Sequence, residues 1–229
     1  RYDKRRVASG LRRAASLGAF GAVAKTPVGP IFVPPFANDL LALCGARRLS
    51  VRRVREIPEE WRVGRFVIAL ESARGTAVVR YAKSPVVTGV ACDASALVAA
   101  CEAAGARLSE KSWEPDLLLP ALVAAYRRLT DLAEPGREPA RLHPRVELVE
   151  IFADLKAERS GYTRAQFAFD LARLKSERRL VVDARRVDLG VATGSATQKK
   201  RRVLWIEDES GTGQYYETFR LLPHSVEDV

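Results

Sequence analysis

Methionine is absent from all 229 residues, histidine occurs twice and cysteine three times. With no methionine, Arg1 is not an initiator residue, and the chain is expected to be processed, trimmed or part of a longer polypeptide. His143 and His224 each stand beside a proline, far apart. Cys44, Cys92 and Cys101 are scattered and lack CxxC spacing. No ordinary zinc site can be assembled from these groups, so neither metal nor cofactor is expected. An odd, dispersed set of cysteines also argues against a disulfide framework; the thiols are expected free and buried, in a reducing compartment. No apolar run approaches the roughly 18–20 residues that cross a bilayer. The stretch ASLGAFGAVA (15–24) follows a basic segment as the core of a secretion signal does, but glycine breaks it and no cleavage pattern follows. The chain is therefore read as cytoplasmic, without a membrane partner.

Catalytic patterns are missing too. Candidate serine and cysteine nucleophiles lack a well-placed histidine base, since His143 lies in the linker and His224 near the tail. A metal-dependent nuclease would want an Asp and a Glu-x-Lys on adjacent strands. Glu71-Ser72-Ala73 lacks the lysine, and Arg80 and Lys83 close a different strand. Asp183 and Asp188 are spaced for one strand, where turn and surface roles suffice. The Gly18-x-x-Gly21 pair has neither a GK[ST] ending nor the dinucleotide fingerprint. The chain is expected to be non-catalytic.

What is present is positive charge on a globular composition. The net charge is +10, the hydrophobic fraction 47% and the charged fraction 29%. A chain so composed buries a core and offers a cationic surface to an anionic partner, nucleic acid first. An Arg- and Ala-rich compositional bias would produce the same balance.

Taken in order, residues 1–17 suit a helix with a narrow apolar stripe and a face of Arg5, Arg6, Arg12 and Arg13. Residues 18–36 are a Gly/Pro-rich connection. Asn38 can cap a helix over 39–45. A strand follows in 46–56, carrying Arg47, Arg48, Arg52, Arg53 and Arg55. Residues 61–72 and 75–83 read as two strands of a hairpin, with 84–93 as a further strand. Asp93 is placed to cap a helix over 94–108, and 113–134 reads as a long apolar helix that Pro120 should kink or split. EPGREPARLHP (134–144) has the composition of a linker. These features predict an α+β chain: a mixed helix and antiparallel-strand domain over 1–133, a linker over 134–144, and a second domain over 145–229.

In the second domain, Val146, Val149, Phe152 and Leu155 share one helical face. Thr163 and Gln166 form a capping-box pattern ahead of a helix with a stripe of Phe167, Leu171 and Leu174, supplemented by Phe169. Its opposite side carries Arg164, Arg173, Lys175, Arg178 and Arg179. Strands are expected over 179–192, 201–208 and 214–222. The loop TGSATQKKRR (193–202) ends in Lys199, Lys200, Arg201 and Arg202.

In element order and basic ribbon tip, residues 143–222 resemble the winged-helix superfamily. The resemblance implies a DNA-binding fold, although winged helices also serve as protein-interaction modules. It implies a helix in the major groove, with Gln166 and Arg173 as the positions to test for base contact. Arg164, Lys175, Arg178, Arg179 and the wing cations Lys199, Lys200, Arg201 and Arg202 would then lie on phosphates. Arg5, Arg6, Arg12, Arg13, Arg47, Arg48, Arg52 and Arg53 would extend the basic track. The expected function is a non-catalytic DNA-binding subunit or accessory factor of a larger DNA-processing, defence or regulatory assembly. Its partners would be duplex DNA and other protein subunits. The alternatives are a scaffold whose winged helix binds protein, and an RNA-binding component.

Overall fold

The computed structural model describes residues 34–130, 144–183, 185–208 and 211–223. Arg5, Arg6, Arg12, Arg13, His143 and His224 lie outside the described residues. The chain is α+β, and among the described residues every strand pairing is antiparallel.

Helix α1 (Pro34–Ala46) leads into β1 (Val51–Arg55), β2 (Glu60–Val63), β3 (Phe66–Glu71), β4 (Thr76–Tyr81) and β5 (Ser84–Ala91), which form a meander in sequence order. The segment expected as one strand over 61–72 is in fact a hairpin. Gly64, at φ +54°, turns the chain between β2 and β3, a conformation that favours glycine. The two-residue period puts Trp61, Val63, Ile68, Val79 and Tyr81 on one buried face. Helix α2 (Ala94–Glu110) covers that face with Leu97, Val98, Cys101, Ala104 and Leu108 at helical spacing. Asp93 caps it as expected, accepting from the Ala96 N–H at 2.9 Å. At Gly105 the ring of Phe66 comes to 3.6 Å from where a Cβ would stand, so the helix lies close on the sheet. Cys44 and Cys101 are free and buried, and Cys92 is half-buried. Burial pushes the Cys101 thiol up to about 12.

Helix α3 (Pro115–Leu129) buries Leu118, Leu122, Ala125 and Tyr126. Pro120 does not split it. A proline at the sixth position removes one backbone hydrogen bond near the start and leaves the later turns intact. Beyond the described gap come β6 (Val146–Glu147), α4 (Leu148–Glu158) and α5 (Arg164–Ser176). Val146 therefore belongs to a strand, and the buried stripe of α4 is Leu148, Ile151 and Leu155 rather than a Val146–Val149 face. Short β7 (Val181–Val182), β8 (Arg185–Val191), β9 (Leu204–Glu207) and β10 (Gly213–Pro223) complete a second sheet. Long β10 is its spine: the order is β6-β10-β8-β7, with β9 also paired to β10. A 3-10 turn (Gly194–Gln198) lies within the basic loop.

Although the linker composition falls after α3, that helix packs on α4, α5 and β10. The Tyr126 ring lies 5.5 Å from Phe219, and its hydroxyl donates to the Pro144 carbonyl at 2.8 Å. Arg128 pairs with Asp154 and Glu158 of α4. The first sheet with α1 and α2, and the second sheet with α3 to α5, share one continuous apolar core. Tyr81 meets Phe169 edge-on at 5.8 Å across that junction.

Candidate nucleic-acid interface

Helix α5 does not present the open basic face expected of it. Ala165 through Leu171 are all buried, because β5, α3 and β9 enclose the helix from several sides. Gln166 is 4% exposed, and its amide donates to the Leu108 carbonyl at 2.8 Å and to Asp170 at 3.2 Å. A base contact from Gln166 is thus replaced by a tie to α2. Thr163 does cap the helix, accepting from the Gln166 N–H at 3.1 Å, but the reciprocal half of the capping box is not made.

The remaining basic residues of this region are largely committed within the fold. Arg173 donates to the Ser112 hydroxyl at 2.6 Å and faces Glu177 at 3.7 Å. Lys175 donates to the Tyr216 hydroxyl, and Arg179 pairs with Asp116 and Glu177. Arg178 is exposed, at φ +55°. Arg164 is half-buried and donates to the carbonyls of Lys200 and Arg201 at 2.9 and 3.2 Å, and to that of Val203. Burial pulls its pKa down, yet a guanidinium stays charged. Arg164 is therefore the clasp of the basic loop rather than an exposed phosphate contact. On that loop Lys199, Lys200 and Arg201 are exposed, whereas Arg202 pairs with Glu147. Beside the first sheet, Arg47 in the α1–β1 turn pairs with Glu102 of α2, and Arg53 of β1 pairs with Glu56 and Glu59. Arg48 and Arg52 are exposed.

The cationic groups converge elsewhere. A cleft of about 480 Å³ opens between the outer face of the first sheet and the β9–β10 ribbon. Strand register builds one wall: Arg62 stands opposite Val67, and Val67 opposite Arg80, so all three share the face turned away from the core. Arg55 and Lys83 join them, and Arg164 and Lys200 come from the other side. Six cationic side chains thus meet two carboxylates, Glu60 and Glu207. Arg80 pairs with Glu60 at 3.2 Å, and Arg62 with Glu207 at 3.5 Å. The pairing is incomplete: Arg62 Nε and Nη1 and Glu207 Oε1 are buried with no hydrogen-bond partner among the described residues.

Lys83 is held in place by backbone and by rings. It sits with Ala82 in a two-residue turn, both at positive φ (+47° and +64°), the geometry that matches hairpin twist and ordinarily takes Asn and Gly. Its ammonium lies 3.4 Å over the Trp205 ring and 4.3 Å over that of Tyr215, whose hydroxyl accepts from it at 3.1 Å. Such backbone strain persists only where the surroundings enforce it. Among the described residues no cluster of metal-ligating groups occurs, and no helix is long and apolar enough to cross a membrane.

Sequence reading did not single out this cleft. In sequence, Arg80 and Lys83 read only as parts of an incomplete nuclease pattern, and Arg62, Trp205 and Tyr215 carry no site signature. The available signal was the alternation of Arg62, Val67 and Arg80, whose meaning depends on the hairpin at Gly64. Comparison with protein-family models, with curated proteins and with solved structures finds no match to this chain.

Proposed function

We propose that the chain is a non-catalytic DNA-binding protein, a subunit or accessory factor of a larger assembly, gripping the phosphate backbone across the cleft and along the basic loop. The observation that carries this reading is the convergence of six cationic side chains, from the first sheet, helix α5 and the basic loop, on one open cleft. Phosphates are the anions that such a row of Lys and Arg neutralises, with release of counterions. Trp205 and Tyr215 add apolar surface beside sugar or base. The winged-helix reading draws support from the order α3, β6, α4, α5, β7, β8, basic loop, β9, β10, with α3 in the place of the first helix. Because α5 is enclosed, recognition would rest on backbone contacts and shape more than on base edges.

Duplex binding measured against salt tests this. Lys199→Ala, Lys200→Ala and Arg201→Ala together are expected to lower the slope of log affinity against log salt by roughly 2–3, about 0.9 per lost phosphate contact. Arg202→Ala, already paired with Glu147, is expected to change it little. No duplex binding at low salt would reject the proposal. One observation favours a second reading, a protein-binding scaffold: the helix that would read bases is enclosed by β5, α3 and β9 of the chain itself. Co-purification of protein chains without nucleic acid would support it.

A further inference from the structure

The tip of the β1–β2 hairpin carries a side chain that the fold does not use. Ile57 is 89% exposed, and nearby Val54 is 47% exposed. Turn positions ordinarily take Gly, Asn, Asp or Ser, and an Ile-Pro pair at the tip contributes nothing to a core. The surroundings are charged. The side chains of Arg52 and Arg55 are exposed and make no ion pair or hydrogen bond among the described residues, while Arg53 neutralises Glu56 and Glu59 at 3.2 Å each. Val54 and Arg55 also line the cleft, so the hairpin continues its wall outward and ends in Ile57.

We infer that Ile57 is a wedge that enters between base steps of duplex DNA whose backbone lies along the cleft; this rests on the DNA-binding reading above. An apolar side chain inserted at a base step unstacks it and kinks the duplex, and flanking arginines on the adjacent phosphates hold the bend. Other occupants fit less well. A lone projecting isoleucine offers far less than the roughly 800 Å² per partner of a stable protein interface. It also buries too little apolar surface to hold the chain on a bilayer, where even a whole acyl chain binds marginally. One such side chain is, by contrast, what a base step accommodates.

The test uses the full chain and a duplex of about 30 base pairs carrying a fluorescence-transfer pair at its ends. The chain is expected to bend it by roughly 20–90°. Ile57→Ala is expected to abolish the bend and weaken binding about tenfold or more, with the salt slope unchanged. Ile57→Phe should preserve both bend and affinity, which separates insertion from any effect on the hairpin. Salt-dependent binding without a bend, or a bend that survives Ile57→Ala, overturns the wedge and leaves the DNA-binding reading standing. Failure to bind duplex at low salt removes both. Capture by phosphatidylserine vesicles that Ile57→Ala abolishes, with no effect on DNA, overturns the wedge in favour of a membrane contact.

Discussion

Asp170 shows how one buried polar residue ties distant segments together. Its carboxylate accepts from the Ser112 hydroxyl at 2.6 Å, the Tyr162 hydroxyl at 2.7 Å and the Gln166 amide at 3.2 Å. Burial raises its pKa above the ordinary 3.8, against the opposing pull of those hydrogen bonds. The native chain then holds this proton more tightly than the unfolded chain does. The contribution to stability is complete below about 3.8 and is lost as pH rises through the folded-state value. Asp170→Asn, which cannot ionise, is expected to gain stability relative to the parent as pH rises from acid to neutral, read as the difference in urea midpoints. A difference that shrinks with pH would falsify this account. Asp170→Ala should cost roughly 1–3 kcal/mol at acid pH, because three donors lose their acceptor, and less as pH rises through the folded-state value.

At the scale of elements, the basic loop owes its position to a helix that does not itself face outward. Arg164 opens α5 and fastens the carbonyls of Lys200, Arg201 and Val203, so one side chain fixes the foot of the loop. Arg164→Ala is expected to loosen the loop without removing an exposed charge. Trypsin cleavage after Lys199, Lys200 and Arg201 should then accelerate several-fold, since cleavage follows local opening. DNA affinity should fall while the salt slope stays near that of the parent. Unchanged cleavage would show that the backbone holds the loop without the clasp. The enclosure of α5 was hidden in its sequence, where alternating charges suggest a free basic face. Only the arrival of β5, α3 and β9 on three sides determines that Gln166 and Asp170 point inward.

Across the whole molecule, the two sheets are joined by buried apolar contact as well as by the Arg62–Glu207 ion pair. Tyr81 against Phe169, and Tyr126 against Phe219, place aromatic rings on junctions that cross the linker-like segment or the α2–α3 connection. Each such ring, once buried, contributes on the order of 1.5–3 kcal/mol that an isolated half would forfeit. The chain is therefore expected to unfold in one cooperative transition, with calorimetric and van't Hoff enthalpies agreeing. Two separated transitions would show instead that the halves hold themselves together. Residues 145–229 expressed alone should expose the surface that covers α3 and bind a hydrophobic dye.

Local chemistry in the sequence was enough for the α+β class, the Asp93 and Thr163 caps, the apolar stripe of Phe167, Leu171 and Leu174, and the basic loop. Each depends on neighbours within a few positions, where periodicity and side-chain hydrogen bonding act directly. The tertiary structure alone decided the rest. It turned 61–72 into a hairpin, moved α3 beside the C-terminal elements and wrapped α5. It also set Lys83 against Trp205 and Tyr215, more than a hundred residues away in the chain. Such contacts follow from which faces bury together, and no short stretch of sequence encodes its partner. The cationic cleft is a property of that pairing: the arginines were visible one by one, and their convergence was not.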